Sequence, residues 1–474
     1  MTEAVDETEI TELEAPEIAS QGPSHSGFLA KIAAIFATRL AVLVLSLSQS
    51  LVIAKLLPVQ DRGAYVSVVT LPGMLMALAM LGLPNAVNYY AGKGSSVMSL
   101  TKASIIFTIG ITLVPLAAVW FALPFLEDSI LRAAPDNLAR VMLLIVPAGV
   151  LTTFGGTLLY GRQQVRVYNA VLVFQAAASL IGALLLVGVF RMGVTGAVAT
   201  NVFISLVMAL VVMIEVVRLS RRDRNGSPAS LRSLFGYGAR LYPSSVSGYF
   251  NYRADNNIIQ AMAASAATAK TQLSLYSLAV TMAEVVFVAP NAVATMFLPR
   301  VAASTDKEAA AMLGQVSRVT LLISVLVALM LIPTAYLGVY LVLPKYTGSL
   351  PAFLAILPGV VTLSVSKVMT SYIGGRGRPG PASVGATIAL VLNVPMNIAL
   401  IPVLGIVGAS LSSVASYTLL AVLMVWVAMR MSGESFAALC IPRRTDVAIM
   451  VAGFARAARR LAGMVRSRSV RTAG

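Results

Sequence analysis

Charge is what this sequence has least of: 11% of its 474 residues are Asp, Glu, Lys or Arg, against 58% hydrophobic, and mean hydropathy is +0.85. Soluble domains carry about 25% charged residues, so composition nearly excludes a water-soluble enzyme. A single cysteine, Cys440, rules out an internal disulfide or a multi-cysteine metal site. The one histidine, His25, lies in a polar leader, which removes histidine-based catalysis and histidine-ligated metal. No Gly-rich Walker-type phosphate loop occurs, so ATP is not the expected direct energy source. What is there is apolar sequence interrupted by 35 Gly and 22 Pro, a pattern of broken membrane helices.

A bilayer core of roughly 30 Å needs about 20 apolar residues per helix. Twelve such segments are predicted: 28–56, 64–91, 102–123, 139–161, 168–190, 194–217, 233–262, 272–299, 316–343, 350–373, 382–403 and 407–429. The expected fold is an all-α polytopic membrane protein of two six-helix lobes, 28–218 and 232–430, around a central cavity. Between them lies a polar joint, 219–231, within which the sequence runs SRRDRNGSPASL from Ser220. Residues 1–27 hold seven acids and no Lys or Arg, which marks a disordered acidic tail rather than a signal peptide. Residues 431–474 form a basic tail, in which 446–466 place Val447, Met450, Phe454, Leu461 and Val465 opposite Arg456, Arg459, Arg460 and Arg466. That division predicts an in-plane helix on anionic membrane lipids.

With the N-terminus inside, 25 Lys and Arg fall on the cytoplasmic side and seven (Lys55, Arg62, Arg132, Arg140, Arg191, Lys270, Lys345) on the other. This bias places both termini in the cytoplasm of a cell that bears the protein in its inner, or plasma, membrane. The bases sit in short loops, so nucleic acid is not an expected partner.

The halves echo each other. Pro84-Asn85-Ala86-Val87 recurs as Pro290-Asn291-Ala292-Val293, an offset of 206, and Gly193-Val194-Thr195-Gly196-Ala197 as Gly405-Ile406-Val407-Gly408-Ala409, an offset of 212. Arg39-Leu40 pairs with Arg240-Leu241 at an offset of 201. Offsets spanning six helices imply a parallel repeat about an axis along the membrane normal. Pro84 and Pro290 are candidate hinges, or static kinks, in the second and eighth spans.

Several stretches carry a wider likeness: Ile53-Ala54-Lys55-Leu56-Leu57-Pro58 through Gly63-Ala64-Tyr65; Leu81-Gly82-Leu83-Pro84-Asn85-Ala86; Pro344-Lys345-Tyr346; and Asn397-Ile398-Ala399-Leu400-Ile401-Pro402 through Gly405-Ile406-Val407-Gly408-Ala409. Together they resemble the multidrug/oligosaccharidyl-lipid/polysaccharide exporter superfamily, and within it the bacterial O-antigen and exopolysaccharide flippases. The resemblance implies a cavity opening alternately to each side and a polyprenyl-diphosphate-linked glycan as cargo, delivered to polysaccharide polymerase machinery. It further implies a cation site among the seventh, eleventh and twelfth spans, with a proton or sodium gradient as driving force and no bound cofactor.

Ionisable groups inside spans are costly and usually face a cavity or each other. Arg39 shares a helical face with Ser46 and Ser50, and is either a snorkelling end-of-helix arginine or a cavity residue. Lys367 has Ser364, Thr370 and Ser371 around it at helical spacing, an expected polar stripe. Arg253 and Asp255, two residues apart, point to opposite sides of their helix. Arg39, Arg253 and Lys367 are the expected cationic lining for a diphosphate. Asp255, Asn393, Asn397, Ser412 and Ser416 are the expected cation-coupling set, without a second carboxylate on the eleventh span; Glu284 is expected to line the same lobe. The rivals are a cation-coupled small-molecule exporter of the same superfamily and a polysaccharide polymerase. The first predicts a more apolar and acidic cavity. The second predicts a large extramembrane loop with paired carboxylates, whereas the acids of the 124–138 loop are scattered.

Overall fold

The computed structural model describes residues 25–450 apart from 128–130, 163, 224–225, 303, 379 and 449. Helices follow one another with short turns: α1 (His25–Leu56), α2 (Val59–Ala79), α3 (Leu83–Gly92), α4 (Val97–Glu127), α5 (Asp136–Met142), α6 (Ile145–Gly161), α7 (Val165–Gly182) and α8 (Gly193–Arg222). The second half continues as α9 (Leu231–Met262), α10 (Ala266–Ala283), α11 (Val288–Ala302), α12 (Asp306–Val342), α13 (Leu350–Gly375), α14 (Gly380–Leu404), α15 (Ile406–Ser432) and a short α16 (Phe436–Cys440). Each of the twelve predicted spans coincides with one helix or with a broken pair. Ten stretches are long and apolar enough to cross a membrane by length and composition. α9 is not among them, because Asn251, Arg253, Asp255, Asn256, Asn257 and Gln260 crowd its second half.

Local chemistry sets the boundaries. Ser230 caps α9 by accepting from the Ser233 amide at 3.1 Å, and Ser265 caps α10 by accepting from Thr268 at 3.2 Å. Thr305 and Glu308 form a reciprocal capping box at the start of α12. The breaks expected at Pro84 and Pro290 fall just before them instead. Leu81 (φ 46°) and Gly82 (φ 69°) end the α2 rod, and Pro84 then sits in the first turn of α3. A four-residue 3-10 turn, 284–287, links α10 to α11 within one rod, and Pro290 follows it in the first turn of α11. A proline in a helix's first turn lacks only an N–H that has no partner there, so the discontinuity moves upstream.

α1–α8 form one lobe and α9–α15 the other. The first has its main apolar core around Leu83, Leu100, Phe154, Leu158 and Met208. The second is built on the buried α13, with Phe353, Ile356, Val360, Tyr276 and Tyr417 in one cluster and Val368, Met369, Tyr372 and Leu439 in another. α9 and α10 carry the seam to the first lobe. A Cβ on Gly82 would collide with the Gly238 carbonyl, and one on Gly63 with the Lys270 carbonyl, so backbones meet directly at both places.

The lobe-to-lobe bonds concentrate at the end of the bundle opposite the tails. Arg62, counted above as a loop base, is buried: its Nη1 donates to the Ser274 carbonyl at 2.5 Å and to Ser277 Oγ at 2.9 Å, with the Tyr346 ring 5.5 Å away. Ser67 Oγ donates to Gln260 Oε1 at 2.5 Å and Arg132 Nη1 to the Ala263 carbonyl at 3.0 Å. At the tail end the joint is pinned to the first lobe. Ser96 N donates to the Ser227 carbonyl at 2.8 Å, and Arg162 pairs with Asp223 at 2.5 Å. The predicted in-plane helix lies mostly outside the described residues, as do the acidic residues 1–24.

Candidate functional site

Two polar clusters lie in the second lobe, one accessible and one sealed, and both start from α9. Positions 253 and 255 differ by about 200° around the helix axis, so the two charges are presented to different neighbours. Arg253 Nη2 meets Glu284 Oε1 at 3.2 Å, with the side chains 40% and 34% exposed. Glu284 opens the turn between α10 and α11. From the same turn Phe287 offers its ring face to Lys367 Nζ, 4.7 Å from the centroid, and Tyr252 of α9 offers a second face at 5.6 Å. Cation–π contacts of this kind steady an ammonium without neutralising it. Arg253, Glu284 and Lys367 therefore form one cluster with a formal charge of +1.

Two of the three residues expected to form a polar stripe around Lys367 turn their hydroxyls back on their own helix. Ser364 Oγ donates to the Val360 carbonyl and Ser371 Oγ to the Lys367 carbonyl, each at 3.0 Å, so these hydroxyls are spent on their own helix. Arg39 is exposed on α1, and no contact brings it to the Arg253–Lys367 cluster among the described residues.

Asp255 is 1% exposed and faces α10, α14 and α15. Tyr276 Oη donates to it at 2.5 Å, Ser413 Oγ at 2.6 Å and Asn397 Nδ2 at 2.7 Å. Asn397 also donates to the Asn393 side-chain oxygen at 3.0 Å, and Asn393 Nδ2 donates to Ser416 Oγ at 3.2 Å. Of the expected set, Asp255, Asn393, Asn397 and Ser416 are thus brought together. Ser412 is not: its hydroxyl donates to the Gly408 carbonyl, and its neighbour Ser413, one position around the helix, meets the carboxylate. Sequence reading also missed Tyr276, whose hydroxyl sits among apolar neighbours that read as core, and Arg62.

Asn397 Oδ1 is buried without a partner beside this carboxylate. Turning the amide over would aim that oxygen at Asp255 and at the Asn393 oxygens, so the assignment follows from the network. Leaving a buried acceptor unmade costs about 1–3 kcal/mol. Hard oxygen donors with one unused lone-pair site fit a small monovalent cation, or a proton on the carboxylate. Among the described residues, no group of three or more His, Cys, Asp or Glu could hold a metal ion.

No family model matches the sequence. An uncharacterized membrane protein of Methanocaldococcus jannaschii is 30% identical over 83 residues, 18% of this chain and 16% of that protein. Solved structures match far more of the chain. An inward-facing multidrug resistance MATE family transporter of the MOP superfamily aligns with a TM-score of 0.61 at 16% identity, covering 84% of this chain and 98% of that one. The chain shares its fold with that transporter. An outward-facing MATE transporter gives 0.62 at 14% identity, over 85% and 96% of the two chains. The lipid II flippase MurJ in an inward closed conformation gives 0.65 at 12% identity, over 89% and 96%. The chain is a multi-pass membrane protein on the MATE and MurJ architecture, built on a scaffold shared by transporters and a flippase.

Proposed function

We propose that this protein is an alternating-access flippase that moves a polyprenyl-diphosphate-linked oligosaccharide from the cytoplasmic to the outer leaflet for surface polysaccharide synthesis. The observation that carries the reading is the accessible, net-cationic cluster of Arg253 and Lys367, with Glu284, in the middle of a membrane lobe. Moving a diphosphate off an aqueous surface costs several kcal/mol unless fixed charges compensate it. Arg supplies a planar fork and Lys a point charge for that purpose. Proteins that share the fold include a lipid II flippase, a protein named for a lipid cargo. A polymerase or glycosyltransferase gains no support from the scattered acids outside the spans.

In this reading the seam formed by Arg62, Ser274 and Ser277 closes one end of the cavity, and the discontinuities before Pro84 and Pro290 let the lobes rock about it. Asp255, with Asn393, Asn397, Ser413 and Ser416, takes up the coupling ion, whose movement down its gradient would supply the energy of the cycle. Both tails face the cytoplasm of the inner membrane, and polymerase machinery receives the product. Reporter fusions after Gly226 and after Ala134 should report cytoplasm and exterior respectively; matching compartments would sink the orientation.

The decisive experiment measures surface glycan and protein abundance in the same strains. Arg253→Ala and Lys367→Ala should each abolish export with normal membrane insertion, and Arg253→Lys should keep part of it. Normal export by well-expressed single mutants and by the double mutant would refute the cationic-cavity mechanism.

A further inference from the structure

We propose that Glu284 is a displaceable counter-ion, holding Arg253 in the unloaded protein and giving way to an entering dianionic head group. The proposal rests on the reading of the site as a diphosphate cavity. Two ion pairs in the same lobe show what distinguishes an exchangeable pair from a permanent one. Arg318 and Asp446 are 8% and 1% exposed and join through a fork, Nε to Oδ2 at 2.7 Å and Nη2 to Oδ1 at 3.2 Å. Arg253 and Glu284 are 40% and 34% exposed and meet through a single Nη2–Oε1 approach at 3.2 Å. The first arrangement is sealed and bidentate. The second is partly exposed and held at one point only.

Position in the chain adds to this. Glu284 and Phe287 stand at the two ends of the 284–287 turn, so one tight turn supplies the anion that holds Arg253 and a ring that faces Lys367. A shift of this turn relative to α9 and α13 changes the surroundings of both cations at once. The turn is also where the α10–α11 rod changes from α to 3-10 geometry, which makes it the point where the rod bends most readily.

Charge balance gives the direction. A polyprenyl-diphosphate diester carries two negative charges at neutral pH, matched by Arg253 and Lys367 alone. With Glu284 still in place the loaded cluster would carry a net −1; with it swung away, the net is zero. Glu284 thus competes for the guanidinium when the cavity is empty and repels the head group when it is full. Loading is weakened and release is hastened, which is what a carrier needs from a site that must let go on the far side.

The test uses the full-length protein in nanodiscs, with farnesyl diphosphate as probe and farnesol and inorganic pyrophosphate as control arms, read by calorimetry. The probe is a monoester whose free terminal phosphate adds up to one charge to the diester's two. Glu284→Gln should bind farnesyl diphosphate about fivefold more tightly, the size expected for removing a like charge from a partly exposed pair, while glycan export falls. Arg253→Ala should loosen binding, and in that background the gain from Glu284→Gln should shrink by at least half. Glu284→Ala serves as a second neutral variant, and Glu284→Asp should stay within about twofold of the parent. Unchanged or weaker binding by both neutral variants, with Arg253→Ala still loosening it, would overturn the counter-ion role and leave the cationic site standing. Failure of every form to prefer farnesyl diphosphate over farnesol would overturn the diphosphate reading itself. Equal binding of pyrophosphate with the same Glu284 dependence would support the counter-ion and make a soluble diphosphate the ligand.

Discussion

The two lobes repeat one scaffold but do not share its chemistry. At the offset of 201 that relates Arg240 to Arg39, Arg253 and Asp255 correspond to Val52 and Ala54. At 206, Glu284 corresponds to Leu78; at 212, Asn393 and Asn397 correspond to Ile181 and Leu185. Ala54 is buried among Leu278, Val339, Leu343, Tyr346 and Leu350, an apolar cluster that bridges the lobes. Where the second lobe holds a sealed carboxylate, the first holds a methyl group. Tyr276 corresponds to Thr70 at 206, and Ser413 to Asn201 at 212, which donates to Tyr65 Oη at 2.7 Å. A parallel repeat therefore preserves helix packing while the sealed carboxylate and the Arg253–Glu284–Lys367 cluster are carried on one side.

Exchanging the chemistry should break this asymmetry most severely in one direction. Ala54→Asp puts a carboxylate into an apolar cluster with no donors comparable to Tyr276, Ser413 and Asn397. An unpaired buried charge costs about 3 kcal/mol or more, so membrane-inserted protein should fall sharply in a fluorescence-tagged abundance assay. Asp255→Asn keeps the shape and several hydrogen bonds, so abundance should hold while gradient-driven export drops. Equal abundance of the two variants would show that the first lobe tolerates the charge and that the asymmetry is not energetic.

The second comparison sets the ion pairs at the tail end of each lobe against each other. Arg162–Asp223 is 20% and 26% exposed, and pairs of that kind contribute about 0–1 kcal/mol. Arg318–Asp446 is sealed, with Arg318 also donating to the Ala438 carbonyl, and it straps the segment after α15 onto α12. Breaking a buried pair costs about 3–5 kcal/mol. The hydrogen bond from Arg318 holds the Asp446 carboxyl below the usual carboxylate range, burial opposing it. A depressed pKa means the stabilisation is complete above the ordinary carboxylate pKa, about 4, and is lost as pH falls below it. Trypsin cleavage at Arg443 and Arg444, measured after brief exposure to each pH, should stay slow from pH 8 to 5 and accelerate only below about 4. Asp446→Asn should be cut readily at every pH, whereas Asp223→Asn should leave this cleavage unchanged.

The twelve spans, the two-lobe division and the broken second and eighth rods were legible because they depend on hydropathy, length and repetition, which the chain writes along itself. Arg253 and Asp255 were legible as diverging groups because helical angle follows from spacing alone. Which partner each one finds was not, since Glu284, Tyr276 and Ser413 come from other helices and no sequence interval encodes that approach. Arg62 misled for a related reason. A base four residues after a loop proline reads as a loop charge, yet the lobe interface closes over it. The serines near Lys367 looked like a polar lining because spacing shows the face of a hydroxyl but not whether its own helix has already claimed it.

The smallest expected effect separates two adjacent residues that sequence reading could not rank. Ser412 and Ser413 are both fully buried in α15, and their helical angles differ by about 100°. Ser412 spends its hydroxyl on the Gly408 carbonyl, a group already bonded within the helix, so Ser412→Ala removes a redundant contact. Ser413 gives one of three donors to Asp255, and a hydrogen bond to a charged group contributes about 1.5–3 kcal/mol. Part of that loss is recovered because Tyr276 and Asn397 remain. Ser413→Ala should therefore lower thermal stability by a few degrees and slow gradient-driven export several-fold, while Ser412→Ala leaves both within error. Equal effects from the two alanines would mean that the carboxylate does not depend on its hydroxyl donor. The sealed cluster would then owe its behaviour to Asp255 and the paired asparagines alone.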